Sequence, residues 1–154
     1  MTTAENNIKS SEASQLEIPT TVIQNGEALK ISDEAFKDRN DIKSITIPDG
    51  IVSIGKDAFS GCSNLTSVTI PESVTRIGNG AFSSCSKLKS INLPKGVTTI
   101  GKKAFSKCAK LKSINIPEGV TTIGANAFQN CSSLKSINLP DSITQIGDGA
   151  FPRA

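Results

Sequence analysis

Histidine, tryptophan and tyrosine are absent from this 154-residue chain. Each absence removes a class of function. Without an imidazole there is no Ser-His or Cys-His nucleophilic pair, no histidine proton shuttle and no histidine-liganded zinc, so the chain is expected not to be an enzyme. Without tryptophan and tyrosine, the usual anchors of tight protein interfaces reduce to Arg39, Arg76 and Arg153. No apolar run approaches the roughly 20 residues that cross a bilayer, and the opening MTTAENNIKSSEASQ lacks the basic start and apolar middle of a secretory leader. Membrane insertion is not expected. The net charge of +3 is too small to imply a nucleic-acid partner, although residues 88–110 carry six lysines and no acid.

What the chain does have is repetition. Aligned on a 23-residue period, all six phenylalanines fall in one column: Phe36, Phe59, Phe82, Phe105, Phe128 and Phe151. Cys62, Cys85, Cys108 and Cys131 form a second column, and five of the seven prolines, Pro48 to Pro140, form a third. Gly55, Gly78, Gly101, Gly124 and Gly147 form a fourth. Repetition at this length is the signature of a solenoid, in which each unit is one coil that buries its apolar face only against its neighbours.

In the unit starting at Leu88, SINLP alternates apolar and polar residues as a short half-buried strand does, and Pro94 ends it by offering no N–H. VTTIG reads as a second extended segment, and Gly101 marks a positive φ or a close backbone approach. KKAFSKC then closes the coil by a turn or a short helical piece, there being no room for a long helix. Stacking places equivalent residues about 4.8 Å apart and makes each column a ladder. The expected organisation is a mobile tail at 1–14, a degenerate capping unit at 15–41, and five repeats at 42–64, 65–87, 88–110, 111–133 and 134–154. In the capping unit Val22, Ile31, Ala35 and Phe36 keep the period, whereas using LEIP at 16–19 as its strand requires a six-residue insertion before Phe36.

The pattern LxSIxIPxxVTxIGxxAFxxCxx resembles the BspA-like leucine-rich repeat family over residues 42–154, and in part over 19–41. The resemblance implies a right-handed leucine-rich-repeat solenoid with a parallel sheet formed by the SINLP segments. It also implies a cell-surface or secreted setting and a role as an adhesin or interaction scaffold, and it carries over no catalytic residue.

The cysteine column invites a metal site, but ligands on successive coils project in parallel, whereas structural zinc needs converging thiolates from closely spaced pairs. Disulfide torsions are disfavoured for the same reason, and a small buried hydrophobe is the expected role. No phosphate-cradling glycine motif is present. Asp57, Glu72, Glu118 and Asp141 read as acids scattered on coil turns. No cofactor is expected.

The sheet face of such a solenoid is the conventional binding surface. Here it is expected to display Ser44, Ser67, Ser90, Ser113 and Ser136 in one row and Thr46, Thr69, Asn92, Asn115 and Asn138 in the next. These rows read either as polar ladders that bond along themselves or as a platform for a protein or glycan. A candidate basic patch comprises Lys87, Lys89, Lys95, Lys102, Lys103, Lys107, Lys110 and Lys112. It would attract an anionic partner at long range. Nucleic acid is not the expected one, since exposed aromatics and arginines are missing. The alternative is a building block whose incompletely covered coil ends self-associate into oligomers or filaments.

Overall fold

The computed structural model describes residues 15–17 and 29–152. The expected tail at 1–14, the register of Val22 and the last two residues lie outside them. Among the described residues, eleven short strands lie on two sides of a stack of coils. On one side lie β1 (Gln15–Glu17), β3 (Ser44–Thr46), β5 (Ser67–Thr69), β7 (Ser90–Asn92) and β9 (Ser113–Asn115). On the other lie β2 (Leu29–Ile31), β4 (Ile51–Ile54), β6 (Arg76–Ile77), β8 (Thr99–Ile100), β10 (Thr122–Ile123) and β11 (Gln145–Ile146). All pairings are parallel and join one coil to the next: Ile45 faces Val68, Ile91 faces Ile114, and Ile77 faces Ile100. The chain is thus a parallel-strand solenoid.

Parallel sheet forms on the SINLP side, as the resemblance implied, but the continuous sheet lies on the other side. The SINLP side splits into a sheet of β1, β3 and β5 and a pair of β7 and β9, whereas the second side forms one six-stranded sheet. Proline follows every SINLP strand, in coils that pair and in coils that do not, and limits each strand by removing a donor from the ladder. The second-side strands are flanked by residues that donate, so that Thr75 N–H reaches the Val52 carbonyl at 2.7 Å and Gly78 N–H reaches the Ile54 carbonyl at 2.9 Å.

A third ladder runs through the AF turns. Phe36, Phe59, Phe82 and Phe105 donate their N–H groups to the alanine carbonyls of the following coil at 2.8 Å. Residues two before and two after do likewise, as Lys103 N–H does to the Ala125 carbonyl and Lys107 N–H to that of Gln129. The residues between them donate within their own coil, Ala104 to Gly101 and Ser106 to Lys103. This alternation satisfies every N–H from Lys103 to Lys107. It requires left-handed backbone at Lys103 (φ 59°) and Lys107 (φ 65°), and the equivalent positions are filled in other coils by Gly80 and Gly61. Turns, not helical pieces, close the coils, and among the described residues there is no helix.

The core is the stack of inward columns. Successive phenylalanine rings lie 5.3–5.9 Å apart and within 10° of parallel, inside the range of favourable offset stacking. Phe59, Phe82, Phe105 and Phe128 are fully buried. Gly101 has no positive φ; its role is close approach, since a Cβ there would lie 2.6 Å from the Asn79 backbone nitrogen and 2.7 Å from the Gly78 carbonyl carbon.

The capping unit departs from the period. β1 pairs with β3 through Leu16 and Ile45, 29 residues apart, so the strand comes from LEIP and the six-residue insertion is real. The period resumes at Lys30 and Ile31, which face Ser53 and Ile54 after a bulge at Leu29. Arg39 stands in the cysteine column and grips Asp41 through two hydrogen bonds of 2.9 Å. That grip, together with the charge attraction, holds the Asp41 carboxyl below its usual range.

Candidate functional site

The alternation of β7 and β9 is exposed, buried, exposed. It turns Ile91 and Ile114 into the core and leaves Ser90, Asn92, Ser113 and Asn115 outside. Ser67, Ser136, Thr46, Thr69 and Asn138 are also exposed, and Ser44 is half-buried. Within the two rows, Ser44 and Thr46 pair in register with Ser67 and Thr69, and Ser90 and Asn92 with Ser113 and Asn115.

They are not, however, self-bonding ladders. Among the described residues, Asn115 alone of these ten bonds through its side chain: its Oδ1 accepts from Leu93 N–H at 3.2 Å and its Nδ2 donates to the Leu93 carbonyl at 3.3 Å. Asn115 is thus a structural clip across β7 and β9. The polar ladder lies elsewhere, in the column of Thr75, Thr98, Thr121 and Thr144, each of which donates its hydroxyl to the carbonyl one coil back at 3.3 Å. The repeated VTxIG was visible in the sequence and carried that signal.

The eight lysines of the basic segment are all exposed but do not form one patch. A run of consecutive residues travels around a whole coil. Lys95 follows β7 at the proline corner, Lys102 and Lys103 follow β8, and Lys107 lies on the AF arc. What stacking gathers is the lysines at equivalent positions in successive coils: Lys87 with Lys110, and Lys89 with Lys112, whose N–H donates to the Lys89 carbonyl at 2.9 Å. Lys135 occupies the next place in the second column, and Lys43 an earlier one.

The acids also sort into a column. Asp49, Glu72, Glu118 and Asp141 each follow the strand-ending proline, and all are exposed. Lys95 is the exception in that column. Glu72, Glu118 and Asp141 are therefore not scattered; Asp57, on the AF arc, is the one apart. Among the described residues, none of the column acids or edge lysines is ion-paired. The face is bounded on one side by lysines and on the other by carboxylates, at most about 20 Å apart along the coil.

The cysteines belong to the core. All four are buried free thiols, and each Sγ donates to the phenylalanine carbonyl of the preceding coil, Cys62 to Phe36 at 3.3 Å and Cys131 to Phe105 at 3.0 Å. Burial pushes the Cys62 thiol up to about 12 and Cys85 well above its ordinary value. Among the described residues, no group of three or more potential ligands is placed to hold a metal ion.

Coils that bury a leucine-led strand, an IG turn and an AF turn define a leucine-rich-repeat scaffold. Comparison with family models makes the assignment specific: six copies of the BspA type leucine rich repeat region match residues 29–154, and the chain belongs to that family. Solved structures agree. A leucine-rich repeat protein from Bacteroides ovatus is 39% identical, with a TM-score of 0.80 over 93% of this chain and 38% of its own. A leucine rich cell surface protein from Faecalibacterium prausnitzii is 37% identical, with a TM-score of 0.72 over 81% of this chain and 31% of its own. A leucine rich repeat protein of T. pallidum is 25% identical, with a TM-score of 0.77 over 92% of this chain and 72% of its own. Comparison with curated proteins gives no match. The chain spans well under half the length of the first two of these structures.

Proposed function

We propose that the chain is a non-enzymatic interaction scaffold, an adhesin-like module of a cell-surface or secreted protein, that takes a protein or glycan on the face carrying β3, β5, β7 and β9. The observation that carries this reading is the state of the face's polar rows. All but the half-buried Ser44 are exposed, and apart from Asn115 their side chains have no hydrogen-bond partner among the described residues. They are also mounted on a core whose central rings are fully buried. Such a surface is rigid and unspent. With no tryptophan or tyrosine to act as hot spots, each contact is weak and affinity accumulates over coils. The Faecalibacterium relative, named as a cell surface protein, supports the setting.

The test is capture of surface proteins and glycans by the wild-type chain, by Ser90→Glu/Asn92→Glu/Ser113→Glu, and by Arg76→Glu/Gln145→Glu on the opposite side. Capture lost only in the first variant supports the face. Equal capture by all three contradicts it.

A second reading, end-to-end stacking into oligomers, draws on the exposed apolar side chains of Leu139 and Ile146, 41% and 47% exposed. Light scattering against concentration tests it, and a monomer at the highest concentration dismisses it.

A further inference from the structure

We infer that the lysine edge of this face binds a linear sulfated glycan that runs along the solenoid axis. The inference rests on the reading of the face as a binding surface, and it names the ligand class. Lys87, Lys89, Lys110, Lys112 and Lys135 are exposed at two equivalent positions of successive coils, with no acid among them. The Lys112 N–H to Lys89 carbonyl bond of 2.9 Å puts those two backbones side by side, so their side chains leave the coils about 4.8 Å apart along the axis.

Two coil spacings hold five positive charges within about 10 Å, a distance comparable to the screening length of about 8 Å at physiological salt. The lysines therefore act as one field. The carboxylates of Glu72 and Glu118 stand on the far edge, up to about 20 Å away and beyond that length. A polyanion laid across β5 or β9 would end on those acids, and one laid across β7 would end on Lys95 alone. One laid along the axis meets all five lysines, which favours the axial direction.

The chemistry of the strip selects among polyanions. A single-stranded nucleic acid gains much of its affinity from aromatic platforms for its bases, but the phenylalanines from Phe36 to Phe128 are buried and Phe151 is half-buried. No arginine lies in the strip to fork onto phosphate. An acidic protein gains most from apolar pockets, but the leucines between the lysine columns, Leu88 and Leu111, are fully buried. What borders the lysines is hydroxyl, Ser90 and Ser113, both exposed. Point charges beside hydroxyl donors and acceptors suit sulfates on a chain of sugar hydroxyls.

The experiment measures binding to immobilised heparin, to fully desulfated heparin and to anionic phospholipid vesicles, at low and at physiological salt. Two variants of equal net charge are compared with the wild type: Lys89→Gln/Lys112→Gln/Lys135→Gln on the strip, and Lys95→Gln/Lys102→Gln/Lys103→Gln off it. All six side chains are exposed, and thermal unfolding confirms that both variants fold. The inference expects heparin binding that weakens with salt and is lost on desulfation. It further expects a loss of about tenfold in the strip variant and less than about twofold in the control. Equal loss in both variants reduces the effect to net charge and overturns it. So does binding undiminished by desulfation, binding to vesicles alone, or no heparin binding at low salt. If heparin fails while the Ser90, Asn92 and Ser113 variant still loses surface capture, the scaffold reading stands and only the ligand class falls.

Discussion

Phe105→Ala tests how the coils share their core. The ring is fully buried and stacked on both sides, 5.5 Å from Phe82 and 5.5 Å from Phe128, nearly parallel to each. Truncation leaves a cavity that rigid coils above and below cannot close, which costs about 3–5 kcal/mol. Two stacked contacts of about 0.5–1.5 kcal/mol each place the value in the upper part of that range. Phe151 provides the internal comparison, since it is half-buried and stacks on one neighbour at 5.9 Å. Its truncation is expected to cost about 1–2 kcal/mol, given roughly half the burial. Because a solenoid's stability is a sum over neighbouring units, the central gap also uncouples the coils on either side. Urea unfolding followed by far-ultraviolet circular dichroism is expected to show a lower midpoint for both variants, with a reduced m-value for Phe105→Ala only. Equal costs for the two substitutions, or a cost below about 1 kcal/mol at Phe105, would refute the reasoning.

Four further outcomes are expected. Gly101→Ala should cost about 2–3 kcal/mol or more, because its Cβ would meet backbone rather than a flexible side chain; a change within about 0.5 kcal/mol in urea denaturation contradicts the close approach. Lys103→Gly should stabilise by roughly 0.5–1 kcal/mol, through relief of left-handed backbone at φ 59°, seen as a higher thermal midpoint. Asn115→Ala should cost about 1–3 kcal/mol by stranding the Leu93 amide, while Asn92→Ala is near neutral; the reverse order in denaturation removes the clip. Last, the folded-state pKa of Cys62 is raised from 9.0 to about 12. Its contribution to stability is therefore complete below pH 9.0 and is lost as pH rises from there towards about 12. A Cys62→Ala chain lacks that part of the alkaline decline, and identical pH profiles for the two chains count against a buried thiol.

The columns of Phe, Cys, Pro and Gly made the coil and its inward face legible, because a residue that must meet its own copy one turn later is constrained at every repeat. The cap was less legible. Val22 and Leu16 are both apolar and both precede the same first coil, and only backbone pairing decides for Leu16. The behaviour of SINLP was also hidden, since its alternation predicts a strand but not that the ladder breaks between β5 and β7 while the second-side strands stay continuous. Asn115 reads from its spacing as one member of a surface row, yet its amide completes the ladder beside Leu93. The basic segment misled for a geometric reason. Lysines close in sequence encircle a coil, whereas Lys89 and Lys112, a full period apart, are neighbours.

The most direct test of the stacked coils is the set of proton contacts between phenylalanine rings in solution by nuclear magnetic resonance. Rings 23 residues apart, such as Phe82 and Phe105 with centroids at 5.5 Å, are expected to show cross-relaxation. Rings two coils apart, Phe59 and Phe105, are expected to show none. Contacts skipping a coil, or their absence between adjacent rings, would contradict the registry that brings the lysines together.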